Sequence, residues 1–174
     1  MDICALIKSC EFEDYATCDA SCLKARQDVR DMCSADTCHE YGHSWSCPPA
    51  CGEIDEWQQV YEKKSTCHVF QTVGQMEDEF DFEAMMDAEA LHKERVMKLH
   101  GLLGEQYPDA LLLSAGTCRL CEKCTYPDEP CRFPNRKLVS MEASGLLVSE
   151  VCTLAGTSYN HGPLSIAFVS CVLE

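Results

Sequence analysis

Four cysteines in the second half of the chain have the spacing of a metal-binding loop. Three follow one another at two-residue gaps and a fourth comes after six more residues: Cys118, Cys121, Cys124 and Cys131. Each short gap lets the backbone curl, so that successive sulfur atoms face one bound group. Prolines at 127, 130 and 134 restrict the returning segment and reduce the entropy that is lost when Cys131 joins. The loop therefore predicts a soft metal centre held by thiolates.

An iron–sulfur cluster is the favoured occupant of this loop. The spacing is similar to the ligand spacing with which bacterial ferredoxins hold a [4Fe–4S] cluster. Zinc is the weaker alternative, because structural zinc sites usually draw two Cys-x-x-Cys or histidine pairs from separate knuckles. Outside residues 118–124 the chain has no further Cys-x-x-Cys. Structural or disulfide-bonded cysteines are the third reading.

A second group of cysteines lies between residues 33 and 51. Gly42, Pro48 and Pro49 mark this segment as a loop. A cysteine followed by proline also closes the ferredoxin ligand run, where it serves the other cluster of a two-cluster protein. We therefore predict a second [4Fe–4S] site here, without a Cys-x-x-Cys core. Its expected ligands are Cys33, Cys38 and Cys47, with Cys51 as the candidate fourth.

Charge and cysteine content exclude several classes of protein. The chain has 174 residues, 15 cysteines and a formal net charge of −15. Nucleic acids and anionic membrane surfaces repel such an acidic protein. The odd number of cysteines and the absence of a signal-peptide pattern at the N-terminus argue against a disulfide-bonded secreted protein, and no apolar run is long enough for membrane insertion. We expect a reducing, anaerobic cytoplasm.

The hydrophobic pattern predicts a single small α+β domain over residues 1–174. We expect helices at 22–30, 53–64, 79–103 and 148–155, one helical turn at 140–145, and strands at 16–20, 67–73, 110–115 and 164–173. The run 110–115 is apolar throughout, as in a strand buried on both faces, and leads directly into Cys118. The predicted fold has three or four strands, helices mainly on one face of the sheet, and two cysteine-rich loops that converge.

The other cysteines and histidines have less specific surroundings. We interpret Cys67, Cys152 and Cys171 as buried packing thiols, and Cys4, Cys10, Cys18 and Cys22 as small, partly buried residues. His92 and His100 are expected to be exposed on the charged helix 79–103. Trp57 is expected to belong to the core rather than to conduct electrons.

The two cysteine loops together resemble a known family. The residues that carry the resemblance are Cys38-x2-Tyr41-Gly42-x2-Trp45-x-Cys47-Pro48-Pro49, Cys118-Arg-x-Cys121-x2-Cys124-x-Tyr-Pro-Asp-x-Pro-Cys131-Arg-x-Pro134 and Ser140-Met-Glu-Ala-x-Gly145. They are similar to an uncharacterised family of predicted metal-binding proteins from anaerobic bacteria and archaea, from about residue 15 onward. The resemblance implies an iron–sulfur or metal protein and no defined reaction. Cys51 departs from the family pattern, so the fourth ligand of the second site stays open.

Three functions are compatible with these features. The first is electron transfer by one or two [4Fe–4S] clusters to a redox partner protein with a basic docking patch, since charge complementarity accelerates transient encounters. The second is an enzyme in which a cluster with an open iron acts as a Lewis acid in dehydration or sulfur abstraction, with His43, Glu40 or Tyr41 as acid or base. The third is a metal or cluster chaperone. A zinc-stabilised interaction domain is the weakest reading.

Overall fold

The protein is built on one five-stranded mixed sheet. A computed structural model describes residues 2–174. The strands are β1 (Asp14–Asp19), β2 (Thr66–Gln75), β3 (Leu111–Ser114), β4 (Val139–Ser140) and β5 (Ser165–Leu173). Their order across the sheet is β1-β2-β5-β3-β4, with antiparallel neighbours except for the parallel β3–β4 pair. The long β2–β5 pair, which runs from Cys67↔Leu173 to Gln75↔Ser165, forms the middle of the sheet.

Helices cover both faces of this sheet. They are α1 (Ile3–Lys8), α2 (Gln27–Cys33), α3 (Ile54–Glu62), α4 (Phe82–Gln106) and α5 (Val148–Ala155), with a 3₁₀ turn at Ala20–Cys22. Side chains alternate along a strand, so Phe70 and Val172 join the core under α1 and α4. Val69 and Cys171 join the opposite core with residues of α3 and α5. The prediction of helices mainly on one face is therefore wrong, and so is the count of three or four strands.

Most of the long elements match their sequence signals. The helices predicted at 53–64 and 148–155 and the strands predicted at 67–73, 110–115 and 164–173 are present, with ends shifted by at most two residues. The helix predicted at 22–30 is wrong, because residues 23–26 are extended and α2 begins only at Gln27. Helix α1 was not predicted; it begins after the Asp2 carboxylate, which caps it by accepting the Ala5 N–H at 2.7 Å.

The long helix α4 buries both of its histidines against neighbouring segments. Its buried residues are Ala88, His92, Val96, Leu99, His100 and Leu103, whereas Phe82, Met86 and Leu91 are exposed. His92, only 1% exposed, hydrogen-bonds Thr72 through Nδ1 at 3.0 Å and Ser170 through Nε2 at 2.8 Å. His100 is buried against the Arg136 carbonyl. Both histidines were expected to be exposed, and this expectation is wrong because distant segments supply polar partners for them.

Two glycines allow close approach of neighbouring backbones. A Cβ atom on Gly74, within β2, would lie 2.6 Å from the Ala88 Cβ atom, so this glycine lets α4 pack tightly on the sheet. Gly145 has φ +89°, and a Cβ atom there would lie 2.7 Å from Ile54 Cδ1 and 2.8 Å from Arg26 N. The turn 141–145 therefore fits against the start of α3 and the segment before α2 only with glycine at its end.

Substitution of Gly145 should destabilise the fold more than substitution of a glycine in open space. We expect Gly145→Ala to cost about 2–4 kcal/mol, because a left-handed conformation and a steric overlap act together. Gly156 also has positive φ (+74°), but a Cβ atom there would meet no other atom within 4 Å, so Gly156→Ala should cost only about 1 kcal/mol. Urea unfolding of both variants measures the difference, and equal midpoints would contradict the packing argument.

The buried His92 should make stability depend on pH. Burial lowers the pKa of His92 to about 3, with smaller contributions from Arg95 and Lys93. In the unfolded chain the imidazole takes up a proton near pH 6.5. The unfolded state therefore binds more protons between about pH 3 and 6.5, and stability falls as the pH falls through this range, by up to about 1.4 kcal/mol per pH unit.

Replacement of His92 should flatten this pH dependence. His92→Gln is expected to lower stability at neutral pH and to reduce the slope between pH 3 and 6.5, as measured by thermal unfolding at several pH values. His39, with a side chain 89% exposed, offers the matched control His39→Gln, which should keep the wild-type slope. An unchanged slope in the His92 variant would show that other groups cause the acid sensitivity.

Candidate metal centre

The first cysteine loop starts at the carboxyl end of β3. The Ala115 N–H donates to Ser170 Oγ at 3.0 Å, which ties the beginning of the loop to β5. Beyond it, Cys118, Cys121, Cys124 and Cys131 all line one pocket, whose empty volume is about 380 Å³ with its open mouth included. All four cysteines are half-buried. The structure thus brings the four predicted ligands of the first site to a common cavity.

Cys124 lies among hydrogen-bond donors that favour its thiolate. Burial raises the pKa of this thiol, but backbone N–H groups of Trp45, Tyr126 and Thr125 and the Ser44 hydroxyl outweigh it, so that the pKa is lowered from its usual value. Donors directed at a sulfur atom stabilise its anionic form. A thiolate is also the form of cysteine that binds metals. The surroundings of Cys124 therefore suit a thiolate ligand.

Trp45 joins the two cysteine loops. Its indole N–H donates to the Glu129 carbonyl at 3.0 Å, and its ring meets Tyr126 edge-on with centroids 4.9 Å apart. Nearby, the Cys118 N–H donates to Ser46 Oγ at 3.3 Å, and the Cys47 sulfur lies 2.9 Å from Thr117 Oγ1. Residues 44–46 therefore form one wall of the first pocket, and Cys47 contacts the start of the first loop. The predicted convergence of the two loops is present in the structure.

In the second group, three cysteines lie close enough to Cys33 for their charges to affect its pKa. Cys33 ends α2, and the other three follow in the turns that lead to α3. Burial raises the pKa of Cys33 to about 11, with further contributions from Glu142 and from Cys38, Cys47 and Cys51. Negative charges on these sulfurs would repel one another. A bound cation would remove this repulsion, which is the condition that a metal site of thiolates needs.

The deepest member of the second group is Cys51, which is 3% exposed. Its thiol donates to the Ala143 carbonyl at 3.6 Å, and the Arg30 guanidinium donates to its sulfur at 3.7 Å. Burial raises the pKa of Cys51, while the charges of Arg30 and, more weakly, Lys137 oppose this effect. Trp57 is half-buried against the same core and donates its N–H to the Cys51 carbonyl at 3.1 Å, in agreement with its predicted core position.

In the described chain, the sulfurs of neither group form a coordination shell. All fifteen cysteines are free. Among residues 2–174, no three cysteine, histidine or carboxylate side chains are grouped closely enough to hold one metal ion. Ligation by either group therefore requires its cysteine side chains to move closer together. Three other buried thiols, Cys67, Cys152 and Cys171, pack in the core opposite α4, as the sequence predicted. Cys10, which was expected to be only partly buried, lies fully buried in the core under α1 and α4.

A comparison with protein-family models assigns the chain to a family. Residues 16–173 match the model described as "Predicted metal-binding protein (DUF2284)". The chain belongs to this metal-binding family. The match confirms the resemblance and its extent. A search of curated proteins gave no match, and neither did a search of solved structures.

The chemistry of the two sites fits the metal binding for which the DUF2284 family is described. Each group presents sulfur atoms, the donors preferred by zinc and by iron–sulfur clusters. The first group lines one cavity and includes Cys124, whose pKa is lowered by nearby donors, and the second has a buried guanidinium in contact with a sulfur. Residues 118–131 and 33–51 would therefore hold the metal, which would supply electron-transfer or Lewis-acid chemistry when it is bound.

A cleft beside the second group contains a carboxyl that the sequence analysis did not single out. Glu142 lines it together with Tyr159 and Phe168, and its empty volume is about 720 Å³ with the opening included. Glu142 is exposed, yet the protein atoms around its carboxyl raise its pKa by desolvation, against smaller opposing hydrogen bonds. In the sequence, only the place of Glu142 in the segment 140–145, which carries the family resemblance, could have marked it as functional. Arg30, Ser44 and Thr117 were not marked by any sequence pattern.

The acid–base candidates of the second group's loop lie away from the first cavity. His43 and Tyr41 are exposed, and Glu40 is 3.8 Å from Arg119. None of these three residues lines the pocket of the first cysteine group.

The described part of the chain also contains no helix long and apolar enough to cross a membrane.

Loss of the Trp45 side chain should loosen the first cysteine loop. Trp45→Ala removes a hydrogen bond and an aromatic contact, each contributing about 1 kcal/mol. Amide hydrogens of residues 125–131 should then exchange faster in the metal-free protein, while exchange in β2 and β5 should stay the same. Tyr159→Ala removes an exposed aromatic outside the loops and serves as the control. Unchanged protection at 125–131 would show that Trp45 does not hold the loop.

Proposed function

We propose that this protein binds two [4Fe–4S] clusters, one in each cysteine group, and transfers electrons. The observation that carries the proposal is the common pocket of Cys118, Cys121, Cys124 and Cys131, with N–H and hydroxyl donors that lower the pKa of Cys124. Their spacing suits the curvature of a cubane. N–H groups directed at the sulfurs stabilise negative charge and tune the reduction potential.

The closeness of the two groups supports a path for electrons between them. The Cys47 sulfur contacts Thr117, whose neighbour is the first-site ligand Cys118. The linked segments 44–47 and 117–118 therefore place a member of the second group against the first loop. Two adjacent centres connected in this way serve electron transfer better than a single isolated centre.

The proposed partner is a redox protein with a basic docking patch. The net charge of −15 attracts such a surface and speeds transient encounters. We do not expect the protein to bind nucleic acid or to insert into a membrane. The proposed location is the reducing cytoplasm of an anaerobe, where thiols and clusters are protected from oxygen.

An enzyme with an open metal position is the second candidate function, and the cleft of Glu142 favours it. The carboxyl lies close enough to Cys33 to raise the pKa of that thiol. A carboxyl beside a metal centre can exchange a proton with a leaving group during dehydration. Glu142 is preferred to His43, Glu40 and Tyr41 as the acid–base candidate, because it lines this open cleft and they do not.

Metal analysis of anaerobically purified protein tests the proposal. Two cubanes require about eight iron atoms and about eight acid-labile sulfides per chain, with a brown colour. Cys121→Ser and Cys38→Ser should each remove one centre and leave about four of each. Cys22 is exposed and belongs to neither group, so Cys22→Ser is the matched control and should keep the full content.

Two results would contradict the proposal in different ways. A colourless protein with stoichiometric zinc would replace both cluster functions by a zinc-binding domain. Wild-type content of iron and sulfide in Cys121→Ser would show that the first loop is not the site. Substrate-dependent changes in the cluster spectrum that disappear in Glu142→Gln would favour the enzyme over electron transfer.

A further inference from the structure

A buried arginine next to the second cysteine group has no carboxylate partner. Arg30, in α2, is only 8% exposed. In the described chain, residues 2–174, no Asp or Glu oxygen lies within 4.0 Å of its guanidinium. Arg26 and Arg95, which have acidic partners nearby, show the usual arrangement. Arg30 is therefore a buried positive charge that needs another source of compensation.

The groups that contact Arg30 are carbonyl oxygens and one sulfur atom. Nε and Nη2 donate to the Ala143 carbonyl at 3.0 and 2.7 Å, and Nη1 donates to the Gly52 carbonyl at 2.5 Å. Nη2 also donates to Cys51 Sγ at 3.7 Å. Carbonyl groups are dipoles and only partly offset a full charge. Among these contacts, only the sulfur atom can carry a negative charge.

An uncompensated buried charge destabilises the folded state. Removal of an ion from water carries a penalty of several kcal/mol, which is recovered only where an opposite charge and good hydrogen bonds are present. The hydrogen bonds of Arg30 reach the residue after Cys51 and the turn 141–145 that packs beside it. The geometry therefore leaves Cys51 as the position at which a negative charge would complete the site.

We propose that Arg30 is the built-in counter-charge of the second metal centre and that Cys51 is the thiolate ligand through which it acts. This inference rests on the proposed function, because it requires a metal bound by residues 33–51. Arg30 is a positioning residue in this scheme: it donates an N–H to the ligand sulfur and fixes its place. Such partners of a ligand typically contribute about 10- to 100-fold to metal affinity.

The surroundings of Cys51 are compatible with loss of its proton on ligation. In the thiol form the S–H group donates to the Ala143 carbonyl. That carbonyl already accepts two N–H groups from Arg30, so it keeps its partners when the sulfur binds a metal. Ligation by Cys51 therefore leaves no buried acceptor without a donor.

This inference decides the fourth ligand of the second site. With Cys33, Cys38, Cys47 and Cys51 all bound, the second centre is saturated by protein sulfur and has no open position. Saturated centres are suited to electron transfer, whereas Lewis-acid catalysis needs a vacant position. The counter-charge therefore favours the first of the two candidate functions at this site.

A double-mutant cycle tests whether Arg30 acts through Cys51. The reconstituted full-length chain is titrated with a competing iron chelator, and the iron retained by each centre is followed by its absorption and by sulfide content. We expect Arg30→Gln to weaken retention at the second centre about 10- to 100-fold and to leave the first unchanged. Cys51→Ser should have at least as large an effect, and the double variant should lose no more than Cys51→Ser alone.

A matched control separates this effect from general loss of charge. Arg26→Gln removes an arginine of the same segment that is paired with Asp28 and Glu150, and it should leave both centres unchanged. The apoprotein of each variant is checked by circular dichroism. If Arg30→Gln does not fold, Arg30→Lys is used, which keeps the charge and should show a smaller loss in the same cycle.

The outcomes distinguish failure of the inference from failure of the proposed function. Wild-type iron affinity in the arginine variants, or losses of affinity that add in the double variant, would overturn the inference. Arg30 would then only connect two backbone carbonyls through hydrogen bonds. If wild-type protein and Cys33→Ser bind the same amount of iron and sulfide, the second centre itself does not exist.

Discussion

A metal site in these loops has to overcome the repulsion between sulfur atoms. The eight candidate cysteines lie in two neighbouring loops, and negative charge on Cys38, Cys47 and Cys51 adds to the effect of burial in the pKa of about 11 for Cys33. A metal removes this repulsion when it binds, but the loops must exist before it binds. Their preformed shape therefore has to come from hydrogen bonds and packing around the sulfurs rather than from the metal alone.

The two groups differ in the contacts that surround their sulfur atoms. At the first, small donors in segment 44–47 and in the loop itself surround Cys124, and Trp45 fixes the returning segment of the loop. At the second, a full positive charge from Arg30 reaches the buried sulfur of Cys51. The first group is half-buried, whereas Cys51 is fully buried. Because a buried ionised group is more costly than an exposed one, the proposed thiolate at Cys51 would gain more from a full charge than from dipoles.

The sheet supplies the platform for both groups. Ser170 on β5 hydrogen-bonds His92 of α4 and also accepts the Ala115 N–H at the start of the first loop. The turn 141–145 packs through Gly145 against Arg26 and Ile54, and its Ala143 carbonyl accepts a hydrogen bond from the Arg30 guanidinium. The loops are therefore held by contacts with the core, which explains how segments without regular secondary structure can present several ligands in one place.

The sequence by itself determined the candidate ligands and most of the elements. Cysteine spacing marked both candidate metal loops, and apolar runs such as 110–115 marked the strands, because these signals lie between residues close together in the chain. It did not determine that helices cover both faces, that His92 is buried, or that Arg30 reaches Ala143, 113 residues away. Only the tertiary structure decided these points, since the partners that make a buried polar group stable are supplied by distant segments once the sheet has formed.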